Sequence, residues 1–191
     1  SFEVSTVVDN TSPQIVSVVP RSGGVYAPNI IVQMNFDEAL DPTSASGIFS
    51  SGAARAFTNI EMSASTGTVT TSVIRPTGEY VISNRFRTVE FVSDLACGEN
   101  SCGRRIYCLP RNMSVEVQIK AATLSSAIPQ AQLTSSGYDG IVDLAGNSFD
   151  GNSDGRAQGS RLDDAMAPGE DHYSWSFGTL GEPILTAPSV A

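Results

Sequence analysis

Alternation with a period of two runs through most of this chain, and it constrains the fold more than any other feature. Ile30, Val32, Met34 and Phe36 alternate with Ile31, Gln33 and Asn35. Met113, Val115, Val117 and Ile119 alternate with Ser114, Glu116, Gln118 and Lys120. Tyr173, Trp175 and Phe177 alternate with Ser174 and Ser176, and Val89 and Phe91 flank Glu90. Successive side chains of a strand point to opposite faces, so each run has one apolar and one polar side. Weaker runs cover Gln14–Val19, Phe57–Ser63 and Val69–Ile74. Clusters of Gly, Pro, Asn and Asp separate them. The pattern predicts an all-β sandwich of about seven strands. No stretch keeps a helical period over three turns; Ala39–Ser46 and Ala121–Ala127 are each expected to hold a short helical turn.

The ends read differently from the middle. Ser1–Val8 is strand-like, with Phe2, Val4, Thr6 and Val8 on one face, and a polar linker with a proline follows it. Gly181–Ala191 carries two prolines and reads as a linker. The expected organisation is an extension and linker over 1–12, a sandwich over 13–178 and a tail over 179–191. No internal repeat is evident. The chain begins at Ser1 without Met, as it would if a leader had been cut away, and no signal peptide or bilayer-spanning apolar run is visible. Charged residues make up only 16% of the chain and the formal charge is −9. Such a surface repels nucleic acid and anionic lipid and attracts divalent cations; it also simply keeps a surface protein soluble.

One stretch resembles a known family. A strand ending at Pro20 is followed by a turn with Gly23 and Gly24, a strand ending in Phe36–Glu38, then Asp41 and Pro42. Near the other end, Asp143–Asn147 (DLAGN) precedes a final aromatic strand, YSWSF. These residues resemble the bacterial Ig-like domain of the SbsA type over about residues 13–178. The resemblance implies an Ig-like β-sandwich. It also implies a setting in S-layer proteins, adhesins and large extracellular repeat proteins, outside the cell or at its surface. The cysteine-bearing loop and the long insert before the last strand depart from the family pattern.

The strongest ligand motif is DGNSDG. Asp150, Asn152 and Asp154 occupy positions 1, 3 and 5 of a calcium loop, Gly155 the sharp bend, and Arg156 would offer its backbone carbonyl. Position 12 is Arg161 rather than Glu, so a closing carboxylate would come from Asp163, Asp164, Glu170 or Asp171. The competing reading is a Gly/Asn/Asp turn with no ion. Asp143 and Asn147 read as structural, bonding nearby backbone, with Gly146 at positive φ. The three cysteines, Cys97, Cys102 and Cys108, sit within one short stretch. That predicts one loop-stapling disulfide of undetermined pairing and one leftover thiol; zinc is a poor fit without a CxxC pair or a nearby histidine. Asn10 and Asn112 head the two N-glycosylation sequons.

No catalytic constellation stands out. GxSxG is absent, and the single histidine, His172, reads as a surface residue opening the last strand. Neighbouring acids such as Glu38 and Asp41, or Asp163 and Asp164, have no set separation. The leading expectation is therefore a non-enzymatic extracellular structural subunit that polymerises with copies of itself. Residues Phe2–Val8 would complete a neighbour's sheet edge, unless they pair with their own domain. The alternative is a spacer or adhesin module among neighbouring surface-protein domains; an accessory domain of a secreted hydrolase comes third. Neither nucleic acid nor membrane insertion is expected.

Overall fold

The structure is a computed structural model that describes residues 8–49, 57–66, 73–123, 138–157 and 171–185. The fold is all-β. Eleven strands are present among the described residues: β1 Ile15–Val19, β2 Val25–Tyr26, β3 Val32–Phe36, β4 Gly47–Phe49, β5 Ile60–Ser65, β6 Gly78–Ser83, β7 Thr88–Ser93, β8 Ala96–Glu99, β9 Arg105–Tyr107, β10 Ser114–Ile119 and β11 Tyr173–Thr179. Nine of them build two facing sheets, in the orders β1-β3-β7-β6-β4 and β2-β11-β10-β5, and β8 and β9 form a separate hairpin. All pairings are antiparallel except β2 with β11. The count exceeds the expected seven because β2, β4, β8 and β9 are too short to show a period, and in β6 exposed Val81 blurs the alternation that puts Tyr80 in the core. Of the expected run Val69–Ile74, residues 69–72 lie outside the described ones and Ile74 bridges Ala64.

The alternation behaves as expected. Val32, Met34 and Phe36 of β3 face inward, as do Val115, Val117 and Ile119 of β10 and Trp175 and Phe177 of β11. They meet Ile60, Met62, Tyr80, Val89 and Phe91 in one core. Each large side chain taken out of water there contributes about 1.5–3 kcal/mol. Gly78 begins β6 because any Cβ would strike the Val92 carbonyl and the Phe91 ring. Outside the core, the polar side of β5, β10 and β11 carries serines around Glu116, with Ser63 opposite Glu116 and Glu116 opposite Ser176.

The predicted turn near residue 42 is present as α1, Pro42–Ala45. Asp41 caps it, accepting from the Thr43 N–H and hydroxyl, both at 2.7 Å, and Pro42 at the first turn lacks the amide that would be orphaned there. Of the turn expected at Ala121–Ala127, Ala121 is instead a parallel bridge partner of Ile141, and residues 124–127 lie outside the described ones. Buried Asn59 ties these parts together, donating to the carbonyls of Ser44 and Gly140 at 2.9 and 3.2 Å.

The strand register defines two poles. At one, Leu40 bridges Asp143, the Asp150 N–H donates to the Pro13 carbonyl, and the chain enters through Asp9. At the other, the Leu109 N–H donates to Pro28, the Leu180 N–H to Tyr26, and Ile184 exchanges two hydrogen bonds with the Asn29 side chain. Of the tail expected over 179–191, Thr179 is buried at the end of β11 and the chain lies on the body as far as Leu185.

Candidate functional site

The entry pole gathers the polar chemistry. Asp150 is fully buried, and its carboxylate accepts from Gln14 Nε2 at 2.7 Å, the Gly155 N–H at 2.8 Å and the Asp154 N–H at 3.2 Å. Asn152 Oδ1 accepts from the Asp154 N–H, and Asp154 Oδ1 from the Arg156 N–H, each at 2.9 Å. Ser153 and Gly155 take φ of 59° and 81°. The alternate oxygens expected to face a cation thus cap the loop's own amides, which accounts for the tight curl. Asp171 is buried behind the turn, its carbonyl in close contact with Gly151. The carboxylates of Asp150, Asp154 and Asp171 do not converge as a trio; Asp163, Asp164 and Glu170 lie outside the described residues.

Three other carboxylates do converge. Oxygens of Asp9, Glu38 and Asp143 all lie within 4.8 Å of one another. Asp143 is buried and well supplied with donors: Oδ1 takes the N–H groups of Ala145 and Asn147 at 2.8 and 2.7 Å, and Oδ2 takes Asn147 Nδ2 at 2.7 Å. Gly146 makes this turn possible at φ 89°, as expected from DLAGN. Asp9 accepts from the Thr11 hydroxyl at 2.7 Å and the Thr11 N–H at 3.1 Å, which hold its carboxyl below the ordinary range. Glu38 lacks such support. Thr11 reaches its Oε2 only at 3.5 Å, and its buried Oε1 has no hydrogen-bond partner among the described residues. Burial, then the charges of Asp143, Asp37 and Asp9, push the Glu38 carboxyl up to about 7. Asp9 is thus held in its charged form while Glu38 keeps a proton toward neutrality. Sequence reading took Glu38 and Asp143 as marks of the fold, weighed Glu38 only with its neighbour Asp41, and placed Asp9 in a linker. Their meeting is made by the Leu40–Asp143 bridge and the Leu144 N–H donating to Ala39, contacts that leave no mark in local spacing.

The exit pole carries the cysteines. Cys97 pairs with Cys108, leaving Cys102 free and exposed in the turn between β8 and β9. The disulfide closes the hairpin, and Arg111 donates to the Cys97 carbonyl at 3.0 Å. Asn112 is exposed at φ 54°, packed against Gly181, while Asn10 is exposed at the entry pole. Of the expected assembly strand, Val8 is exposed, and Phe2, Val4 and Thr6 lie outside the described residues.

His172 is half-buried rather than on the surface. Its Nδ1 accepts from the Ala121 N–H at 3.1 Å; burial, then the Lys120 charge, lowers its pKa against the opposing pull of Asp139. The ring is a structural acceptor at the start of β11. Among protein-family models, curated proteins and solved structures, no match to this chain was found.

Proposed function

We propose that this chain is a non-enzymatic structural module of the bacterial Ig-like kind. On this reading it acts outside the cell or at its surface as a spacer between neighbouring domains. The observation that carries the reading is the opposition of its ends: the chain enters the sandwich at Asp9 at one pole and runs onto the other at Ile184, with the strands lying between. A pull through the ends then loads the strand ladders along their length, the direction in which many hydrogen bonds share the force. The strand order supports the Ig-like reading. β1-β3-β7-β6 facing β11-β10-β5 is the arrangement of an Ig-type sandwich, with β4 and β2 added at edges. The disulfide suits an oxidising compartment. No helix among the described residues is long and apolar enough to cross a membrane. On this reading calcium at the Asp150–Arg156 turn, where Asp150, Asn152 and Asp154 stand at positions 1, 3 and 5, would be a stiffening ligand.

A second reading, a filament joined by donation of Phe2–Val8 to a neighbour, is favoured by the alternation of that segment. Light scattering and small-angle X-ray scattering of the full chain, with calcium and then with chelator, separate the two. The spacer reading expects a monomer at all concentrations. Large assemblies that disappear on removal of residues 1–7 would establish the filament instead. Isothermal titration with calcium tests the ligand: no heat at millimolar calcium excludes it.

A further inference from the structure

We infer that this sandwich sits between two sandwiches of its own kind in one continuous chain. Phe2–Val7 would be the closing strand of the unit before it, and Thr186–Val190 the opening of the unit after it. This rests on the spacer reading and says who the neighbours are.

A likeness between the two ends and two elements inside the sandwich carries the inference. Phe2-Glu3-Val4-Ser5-Thr6-Val7 follows the pattern of Trp175-Ser176-Phe177-Gly178-Thr179-Leu180: aromatic, polar, apolar, small, threonine, aliphatic. Thr186-Ala187-Pro188-Ser189-Val190 follows that of Thr11-Ser12-Pro13-Gln14-Ile15: threonine, small, proline, polar, β-branched apolar. Each end holds only a fraction of a unit, so a search for whole repeats passes over both. The order is the one a tandem array demands, with a closing strand ahead of the first complete unit and an opening segment behind it.

The matched positions are those with work to do in the structure. Trp175 and Phe177 fill the core. Gly178 passes so near β2 that a Cβ would lie 3.2 Å from Val25. Thr179 is buried, its hydroxyl donating to the Pro110 carbonyl at 2.6 Å and accepting from the Met113 N–H at 3.1 Å. A threonine kept at the fifth place of both hexapeptides, Thr6 and Thr179, matches that double bond; strand propensity alone would accept valine. In the opening segment, Pro13 is buried with its carbonyl taking the Asp150 N–H at 3.0 Å, and Ile15 starts β1. The connection is short, since three residues separate Val7 from Thr11 and five separate Leu180 from Thr186. At about 3.3 Å per extended residue, the exit pole of one unit lies against the entry pole of the next. The cysteine hairpin of one unit would face the Asp9–Glu38–Asp143 pole of its successor.

Three measurements test this. In the 191-residue chain, deleting residues 1–7 should leave Tm unchanged, because a closing strand without its own sandwich has nothing to pair with. A loss of more than about 3 °C, on the order of 1 kcal/mol for a domain of this size, would overturn the inference. Hydrogen exchange should find the amides of residues 2–7 free and those of 173–179 protected. Protection of 2–7 in the monomer would mean pairing with their own sandwich. Protection only in concentration-dependent assemblies would overturn the spacer reading as well. Finally, residues 8–174 placed ahead of Phe2 should let Phe2–Val7 close the added unit, protecting those amides and roughly doubling the length seen by X-ray scattering. A control in which residues 8–180 precede Asp9 supplies the native closing strand. Two folded units in the control with free amides at 2–7 in the first chain would refute the assignment.

Discussion

Tyr80 offers a direct trial of how the core is held. Its side chain is fully buried among Phe49, Phe57 and Phe91, with ring centroids 6.0, 5.3 and 5.1 Å away. Its hydroxyl has no hydrogen-bond partner among the described residues. Burial, with the Glu61 charge adding to it, pushes the phenol far above its ordinary range. A buried hydroxyl that gives up water without replacement costs about 1–3 kcal/mol. Tyr80→Phe removes that cost and leaves a void of roughly one hydroxyl, about 10–15 Å³, worth about 0.3 kcal/mol at ~24 cal/mol per Å³. The variant should therefore be more stable by about 1 kcal/mol, and Tm should rise by about 2–4 °C for a domain of this size. Urea and thermal unfolding followed by the fluorescence of the single tryptophan, Trp175, measure it. The sign at alkaline pH is also set. The fold favours the protonated phenol, so this contribution is complete below the ordinary value of 10.0 and is lost as pH rises past it. The wild type should weaken above that pH more steeply than Tyr80→Phe. A fall of 3 °C or more in Tm at neutral pH would show that the hydroxyl is bonded, and the reasoning would fail.

Other substitutions probe the poles. The fold raises the Glu38 carboxyl from 4.5 to about 7, so its contribution is full below 4.5 and is lost as pH rises through 7. Glu38→Gln should flatten the Tm-against-pH curve between those values and be the more stable form at pH 8; parallel curves would refute the coupling. Asp150→Ala strips the acceptor from three donors and should cost about 3 kcal/mol in urea unfolding, whereas a loss under about 1 kcal/mol would mean water replaces the carboxylate. Opening the Cys97–Cys108 link frees a loop of separation 11, worth about 3 kcal/mol, within a hairpin that lies outside both sheets. Arg104 and Arg105 are exposed already, and reduction should loosen the hairpin backbone enough for trypsin to cut after them faster while Trp175 fluorescence stays native; loss of the native signal would show that the hairpin supports the core.

The residues of this chain announce a sandwich by themselves, because a strand with one face in a core must alternate. β3, β10 and β11 are legible for that reason: Val32–Phe36, Val115–Ile119 and Trp175–Phe177 bury every second side chain. The capped turn at Asp41–Pro42 and the glycine of DLAGN are legible too, since both depend on the conformational limits of single residues. Strands without a core face are not. β8 and β9 pair only with each other, so nothing selects an alternating pattern in them, and β4 has three residues. Which cysteines join depended on the hairpin, whose register shifts at Cys97, between Ala96 opposite Tyr107 and Gly98 opposite Ile106, where Cys97 bonds Cys108 just past the end of β9. The gathering of Asp9, Glu38 and Asp143 belongs wholly to the tertiary structure. Charges spread over more than 130 residues meet there because the two sheets close over one core, and the core's packing outweighs the repulsion among carboxylates at its rim.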